Sequence, residues 1–322
     1  MTSRRSLLLR LVLRRLAIGL LTLLLVSALM FWAVELLPGD IATEILGQSA
    51  TPETLAAFRD RFNLNDLAPV RYVHWLGGAL TGDFGLSLAN QRPITQLISD
   101  RAFNTFFLAA YVAAIAVPLA VVLELVAALY RGSVLDRFIS WSTLAVISFP
   151  EFFVAYILIL IFAQHLHWFP SLATIRPAMG LADRLYVTFL PAMTMVLIVT
   201  AHMMRMTRAA VVNLLSLPYI EMAHLKGLRR WRVIAVHALP NAVAPIVTVV
   251  ALNLAYLIVG VVLVDVVFVY PGLGQLLVDS VAKRDITVVQ AACLIFAATY
   301  ILLNLAADIL GILSNSRLLH PR

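Results

Sequence analysis

Few residues in this sequence have the type and spacing for covalent or metal chemistry, and their surroundings argue against it. The seven histidines do not converge. His165 and His167 stand beside Trp168, a grouping that suits a membrane interface; nickel or haem ligation would need more donors in one place. Cys293 is the single cysteine, so it makes no intrachain disulfide, and its apolar neighbours read it as a small core residue. Gly77 and Gly82 have the glycine spacing of a phosphate-cradling loop, but Asp83 follows where that loop needs lysine, and a carboxylate there repels phosphate. No nucleophile and base share a face. One polar run stands out, from Ser216 to Asn241. Pro218 is suited to open a short helix, and Gly227 to close it in a left-handed cap. A helix of about two turns is unstable alone in water, so this one needs something to dock against.

The elements that hold this loop are set by composition. Of 322 residues, 62% are hydrophobic and 13% charged, and the mean hydropathy is +0.94. Water-soluble domains run near half apolar and about a quarter charged, so lipid must cover much of this surplus. The net charge of +7 does not indicate nucleic acid, because the basic residues form no stripe with interleaved aromatics. Six segments can span a bilayer core, which takes roughly 20 residues each: 16–37, 103–129, 139–166, 186–206, 242–264 and 288–313. Ser3, Arg4 and Arg5 ahead of a leucine run faintly resemble a twin-arginine export signal. The first apolar run is too long for a signal core and lacks a clean cleavage site, so a retained first helix is expected.

Arg and Lys orient the spans. With the N-terminus inside, 15 of the 24 basic residues fall on the cytoplasmic side, including Arg4, Arg5, Arg10, Arg14 and Arg15 at the start and Arg317 and Arg322 in the tail. Five of the other nine lie in the long segment after the first helix, where positive charge weighs little on topology. Both termini are therefore expected inside. The long outer segment, 38–101, has turn residues, a Thr51-Pro52 helix start, and the aromatics Phe58, Phe62, Tyr72 and Trp75, expected to form one small satellite core. In the second outer loop, Tyr270-Pro271-Gly272-Leu273-Gly274 breaks the helix; non-helical backbone at that depth needs protein or a water-filled cavity around it, which places it near a pathway mouth.

Acidic groups in the spans mark function by default. Glu124 lies about two turns from Arg131 and is expected to face protein or water, as a structural pair or a cavity group. Glu151, beside Pro150, is expected at a solvated cytoplasmic end. Asp265 is expected at the outer surface, lining the mouth or merely solvated. Asp308 and Asn304 are one turn apart and suit interhelical hydrogen bonds.

The polar loop carries a resemblance. Glu221-x-Ala223, three residues, Gly227, nine residues, then His237-x-Leu239-Pro240 is similar in spacing to the EAA loop of ABC importer permeases. Met222 replaces its central alanine and His237 its isoleucine. Other matches run the length of the chain, among them Gly82-Asp83-Phe84-Gly85, Ser148-Phe149-Pro150, Thr207-Arg208-Ala209 and Tyr270-Pro271-Gly272-Leu273-Gly274. The chain resembles the dipeptide/oligopeptide/nickel permease family, in its subunit type with a long first outer loop.

That resemblance implies an all-α membrane protein with six transmembrane helices in the type I ABC importer permease fold. It implies residues 1–37 as cytoplasmic N-terminus and first helix, 38–101 as an external subdomain, 102–313 as the permease core with its coupling loop at 216–240, and 314–322 as a cytoplasmic tail. The partners it implies are a second homologous permease, two cytoplasmic ATPases that hold the ATP and Mg, and an external substrate-binding protein. The coupling residues it implies are Pro218, Tyr219, Glu221, Ala223, His224, Lys226, Gly227, Leu239 and Pro240, with contact to the ATPase extending to His237. Glu124, Asp265, Tyr270, Pro271 and Gly272 remain candidates for the pathway. Import of di- or oligopeptides is the expected function. The alternatives are nickel or another small solute through the same machinery, or a secondary transporter or channel without an ATPase. The last would show an inverted repeat and midplane broken helices, and neither is clear in the sequence.

Overall fold

A computed structural model of the chain describes residues 4–36, 40–176 and 178–314. Residues 1–3, 37–39 with Pro38 and Gly39, 177, and 315–322 with Arg317 and Arg322 lie outside the described residues, as does the His224 side chain. The described chain is helical: α1 (Arg4–Glu35), α2 (Ile41–Leu46), α3 (Pro52–Arg61), α4 (Ala68–Thr81), α5 (Ile94–Leu129), α6 (Val134–Ser148) and α7 (Glu151–Leu158) come first. Then follow α8 (Leu181–Val187), α9 (Phe189–Leu215), α10 (Pro218–Leu225), the single turn α11 (Arg230–Arg232), α12 (Leu239–Val267), α13 (Leu273–Ala282) and α14 (Ile286–Ser314).

Among the described residues, five helices are long and apolar enough to cross a membrane: Val12–Glu35, Ile94–Leu129, Phe189–Leu215, Pro245–Val267 and Ile286–Gly311. In place of the single 139–166 helix expected stands a pair, α6 and the stretch Glu151–His165 that α7 begins, bent by 105° and a sixth crossing when counted as one span. Pro150 is the cause. It has no N–H to continue the helix, and its ring forces the residue before it out of the helical region. Phe149 accordingly sits at φ −93°, ψ 139° and Pro150 at φ −59°, ψ 144°.

The core forms where α5, α9, α12 and α14 pack, with α6 and α7 against α9 and α13 wedged between α5, α12 and α14. Apolar side chains of all these helices interlock there, from Leu108 and Val112 to Val196, Leu257 and Val261. The first helix is peripheral: α1 packs on α14 and α4, and it leaves Leu20, Leu21, Leu25 and Leu29 exposed. At 36 residues, α5 is about 54 Å long against about 30 Å of hydrocarbon, so it projects beyond the membrane.

The 40–101 region is folded. Thr51 caps α3: its hydroxyl accepts the Thr54 N–H at 3.2 Å, and Thr54 Oγ1 accepts the Thr51 N–H at 2.9 Å. Its aromatics divide into two groups instead of the one core expected. Phe58 and Phe62, centroids 4.7 Å apart, pack with Ala42 and Leu88. Tyr72 and Trp75 lie on Phe31 of α1, at 5.3 and 6.4 Å. The reason is helical spacing: α4 needs an apolar surface for one face, and the outer end of α1 supplies it.

Candidate coupling helix and outer junction

The end of α9 delivers the polar loop to one end of the bundle. Pro218 opens α10, where the Leu217 carbonyl accepts the Ile220 N–H at 2.9 Å. The helix closes as its sequence demands: Gly227 has φ +76°, and the Leu228 N–H reaches back to the Ala223 carbonyl at 3.3 Å. That is the six-to-one bond of a Schellman cap. A Cβ built on Gly227 meets nothing within 4 Å, so glycine is required there for its backbone and not for space.

The loop has two faces. Ile220 and Ala223 are buried against Val233 and Ala238 in the π-helical turn that leads into α12. On the opposite side Tyr219, Met222 and Leu225 are exposed, Met222 at 53% and Leu225 at 75%, with Trp231 beside them in sequence at 57%. Glu221 and Lys226 are exposed too. Leu239 and Pro240 open α12, Leu239 half-buried and Pro240 exposed. The Asn241 amide donates to the His237 carbonyl at 2.8 Å. Met222, a departure from the family pattern, and Leu225 are the residues the sequence reading passed over. The signal was there: apolar residues three apart on the side of a short helix that its own core does not use.

Behind this loop lies a charged cluster. Arg208 on α9 pairs with Asp136 on α6 at 2.8 Å, and Asp136 also accepts the Gly132 N–H at 2.8 Å. Glu124 on α5 is buried, and it lines a small cavity with Arg131, Arg208 and Leu215. The Asp136 carboxylate joins α6 to α9 and to the turn after α5, while Glu124 Oε2 is buried without a hydrogen-bond partner.

The other candidates gather at the opposite end. Tyr270 is fully buried and its hydroxyl donates to the Asn104 carbonyl at 2.7 Å. Burial, reinforced by the Asp265 charge, pushes the Tyr270 phenol above its ordinary range and keeps it a neutral donor. The Asn104 amide donates to the Pro271 carbonyl at 2.9 Å and accepts from Arg184 at 3.1 Å, while Thr105 Oγ1 accepts the Leu273 N–H at 2.8 Å. Asp265, expected at the outer surface, is instead fully buried inside the end of α12, where its carboxylate accepts the Gly274 N–H at 3.0 Å and so caps the start of α13. Gly272 is crowded by that carboxylate, 2.3 Å from where a Cβ would stand, and a Cβ on Gly274 would lie 2.5 Å from Val262 Cα. Tyr270, Pro271, Gly272 and Asp265 thus form one bonded junction between α5, α12 and α13. Glu124 is not part of it. Asn104, Thr105 and Arg184, which complete the junction, carry no motif that would have marked them.

The remaining acids find partners. Glu151 accepts from the Tyr256 hydroxyl at 3.1 Å, and Asp308 pairs with Arg15 of α1 at 3.1 Å. Asn304 instead bonds within its own helix, to the Tyr300 carbonyl at 3.0 Å. His165 and His167 are exposed, and no group of three or more metal-ligating side chains gathers among the described residues.

Comparison with known proteins agrees along the chain. Residues 117–320 match the family described as binding-protein-dependent transport system inner membrane component, and residues 8–109 match the N-terminal region of such membrane components. The chain is 34% identical over 307 residues to the "Probable peptide ABC transporter permease protein y4tP" of Sinorhizobium fredii, covering 95% of this chain and 98% of that one. It is 36% identical over 289 residues to the glutathione transport system permease protein GsiC of Escherichia coli K12, covering 90% of this chain and 92% of that protein. The GsiC of Pectobacterium atrosepticum is 37% identical over the same length.

Proposed function

The chain belongs to the binding-protein-dependent transport inner membrane component family, and from that premise we propose that it carries short peptides inward and takes its drive through α10. It is a multi-pass inner-membrane permease subunit of an ABC importer, not an enzyme; ATP is hydrolysed on partner subunits. The substrate class rests on the relatives, one named for peptide and others for glutathione, itself a tripeptide. Around the chain we place a second homologous permease, two ATPases holding ATP and Mg, and an external binding protein that delivers the peptide. Both termini face the cytoplasm in this reading, supported by the arginines that open the chain.

The observation that carries the drive is the shape of α10. A capped helix of eight residues buries Ile220 and Ala223 and turns Tyr219, Met222 and Leu225 outward. An apolar helix face laid in a groove is a common recognition mode. The ATPase groove would hold it, with Glu221 and Lys226 at the rim, and the Pro240 start of α12 would take up the tilt. Closure of the ATPases then moves α9 and α12, the two helices joined to the loop. Glu124 on α5, Asp265 near the outer end of α12 and the Tyr270–Gly272 segment that follows it would serve that motion as hinge or cavity groups.

The test is reconstitution in proteoliposomes with the ATPases and the binding protein. Met222→Glu places a charge on the docking face without touching the buried one, so peptide-stimulated ATPase activity should fall at least tenfold while the permease still folds. Undiminished stimulation would refute the coupling role. Uptake of labelled nickel in place of labelled peptide would refute the substrate.

A further inference from the structure

Glu151 takes no part in the coupling helix or in the outer junction. Its carboxylate accepts the Tyr256 hydroxyl at 3.1 Å, and the Tyr256 ring lies 6.0 Å from the His202 imidazole. Depth follows from the two long helices that carry these partners. Tyr256 stands eleven residues from either end of the Pro245–Val267 span, and His202 thirteen from either end of Phe189–Leu215. At about 1.5 Å per residue, these are roughly 16 and 20 Å from the span ends, the middle of a bilayer core of about 30 Å. Glu151, expected at a solvated end, thus stands near mid-depth, where the bend at Pro150 starts α7.

Its surroundings separate this carboxylate from the other acids of the spans. Glu124 and Asp265 are sealed off, and Asp308 holds Arg15. Glu151 is only half-buried, and no arginine, lysine or histidine forms an ion pair with it among the described residues. Tyr256 is 45% exposed, and Phe152, next to Glu151 on α7, is 47% exposed. An ionisable group at this depth is too costly to face lipid; it faces protein or a water-filled cavity. The contrast is α1, whose exposed leucines belong to a run without a charge from Leu16 to Val34.

A carboxylate has about four acceptor positions, and the hydrogen bond from Tyr256 takes one of them. A negative group without a cation, set beside the exposed rings of Tyr256 and Phe152, favours a positive ligand on both counts. We propose that Glu151 lines the translocation path at mid-depth and receives the protonated amino terminus of a passing peptide, with Tyr256 steadying its carboxylate. The inference rests on the peptide reading of the substrate. The ammonium terminus is the group that short peptides share whatever their side chains, so one carboxylate there serves many sequences.

Uptake by the reconstituted complex is measured for a dipeptide and for its N-acetylated form, each as a rate per loaded binding protein. In wild type the free amine should be carried faster. Glu151→Gln should cut the ratio of the two rates about tenfold, the loss of a hydrogen bond to a charged group, and Glu151→Asp should restore most of it. A ratio that Glu151→Gln leaves unchanged, even where both rates fall together, marks a structural carboxylate and overturns the proposal. A second readout needs no peptide. With the single native thiol removed by Cys293→Ala, the thiol of Glu151→Cys should react with a cationic, membrane-impermeant methanethiosulfonate in the assembled complex. No reaction, with ATP or without it, would place that position against lipid or packed protein and overturn the proposal. Reaction there, with no uptake of either peptide by wild type, would instead refute the peptide reading and with it the ammonium assignment.

Discussion

Replacing Gly227 isolates the cap of α10 from every contact around it. At φ +76° an L-residue pays a backbone cost, while the space where a Cβ would stand is open. The penalty is therefore conformational alone, about 1–2 kcal/mol for alanine and more for a β-branched residue. Asparagine tolerates this region better than other non-glycine residues. A helix of eight residues has little propagation energy to absorb such a cost. A loss of about 1–2 kcal/mol lowers the population of the capped helix roughly fivefold to thirtyfold. Peptide-stimulated ATPase activity in reconstituted complexes should therefore fall in the order glycine, asparagine, alanine, valine. Hydrogen exchange of the α10 amides, above all the Leu228 N–H bonded to Ala223, should speed up in the same order. Valine equal to wild type in stimulation, or asparagine as poor as valine, would refute the reasoning.

Other expectations follow from the bonded junctions. Gly274→Ala drives a Cβ against Val262 Cα, so α13 cannot seat on α12; a loss of about 1–3 kcal/mol, or failure to fold, should show in the thermal midpoint of the purified complex. Arg208→Gln removes the partner of Asp136. Because Arg208 is about one-third exposed, solvent softens the cost to about 1–2 kcal/mol, again read by thermal unfolding. Asp285 accepts from Ser87 and from the Leu88 and Ala89 amides. Asp285→Ala should free the 85–93 segment, seen as faster hydrogen exchange there with α3 and its cap unaffected.

How much of this was legible in the sequence depends on the range of the forces involved. Membrane class, five of six crossings and the bounds of α10 follow from local rules, since hydropathy runs, Pro218 and Gly227 act on their own neighbourhoods. The bend at Pro150 has the same local cause, but a hydropathy window averages across it, so the 139–166 run read as one straight helix. The division of the outer aromatics was hidden because Phe31, the partner of Tyr72 and Trp75, is more than 40 residues away in the chain and inside a span. The junction at Tyr270 showed its glycines and proline, not its partners: Asn104, Thr105 and Arg184 are polar residues of ordinary spacing whose role exists only once α5, α8 and α13 meet. The exposed face of α10 was half seen. The motif pointed to the loop, while the outward turn of Met222 and Leu225 depends on which face Ile220 and Ala223 bury.

The central claim is that the outer face of α10 is where an ATPase binds. It is tested most directly by placing a photo-crosslinking residue at single positions of the loop in the assembled complex. Crosslinks to the ATP-hydrolysing subunit should form from position 222 and from 225, and not from 220, whose side chain is 1% exposed. No crosslink to that subunit from 222 or 225, or an equal yield from 220, would contradict it.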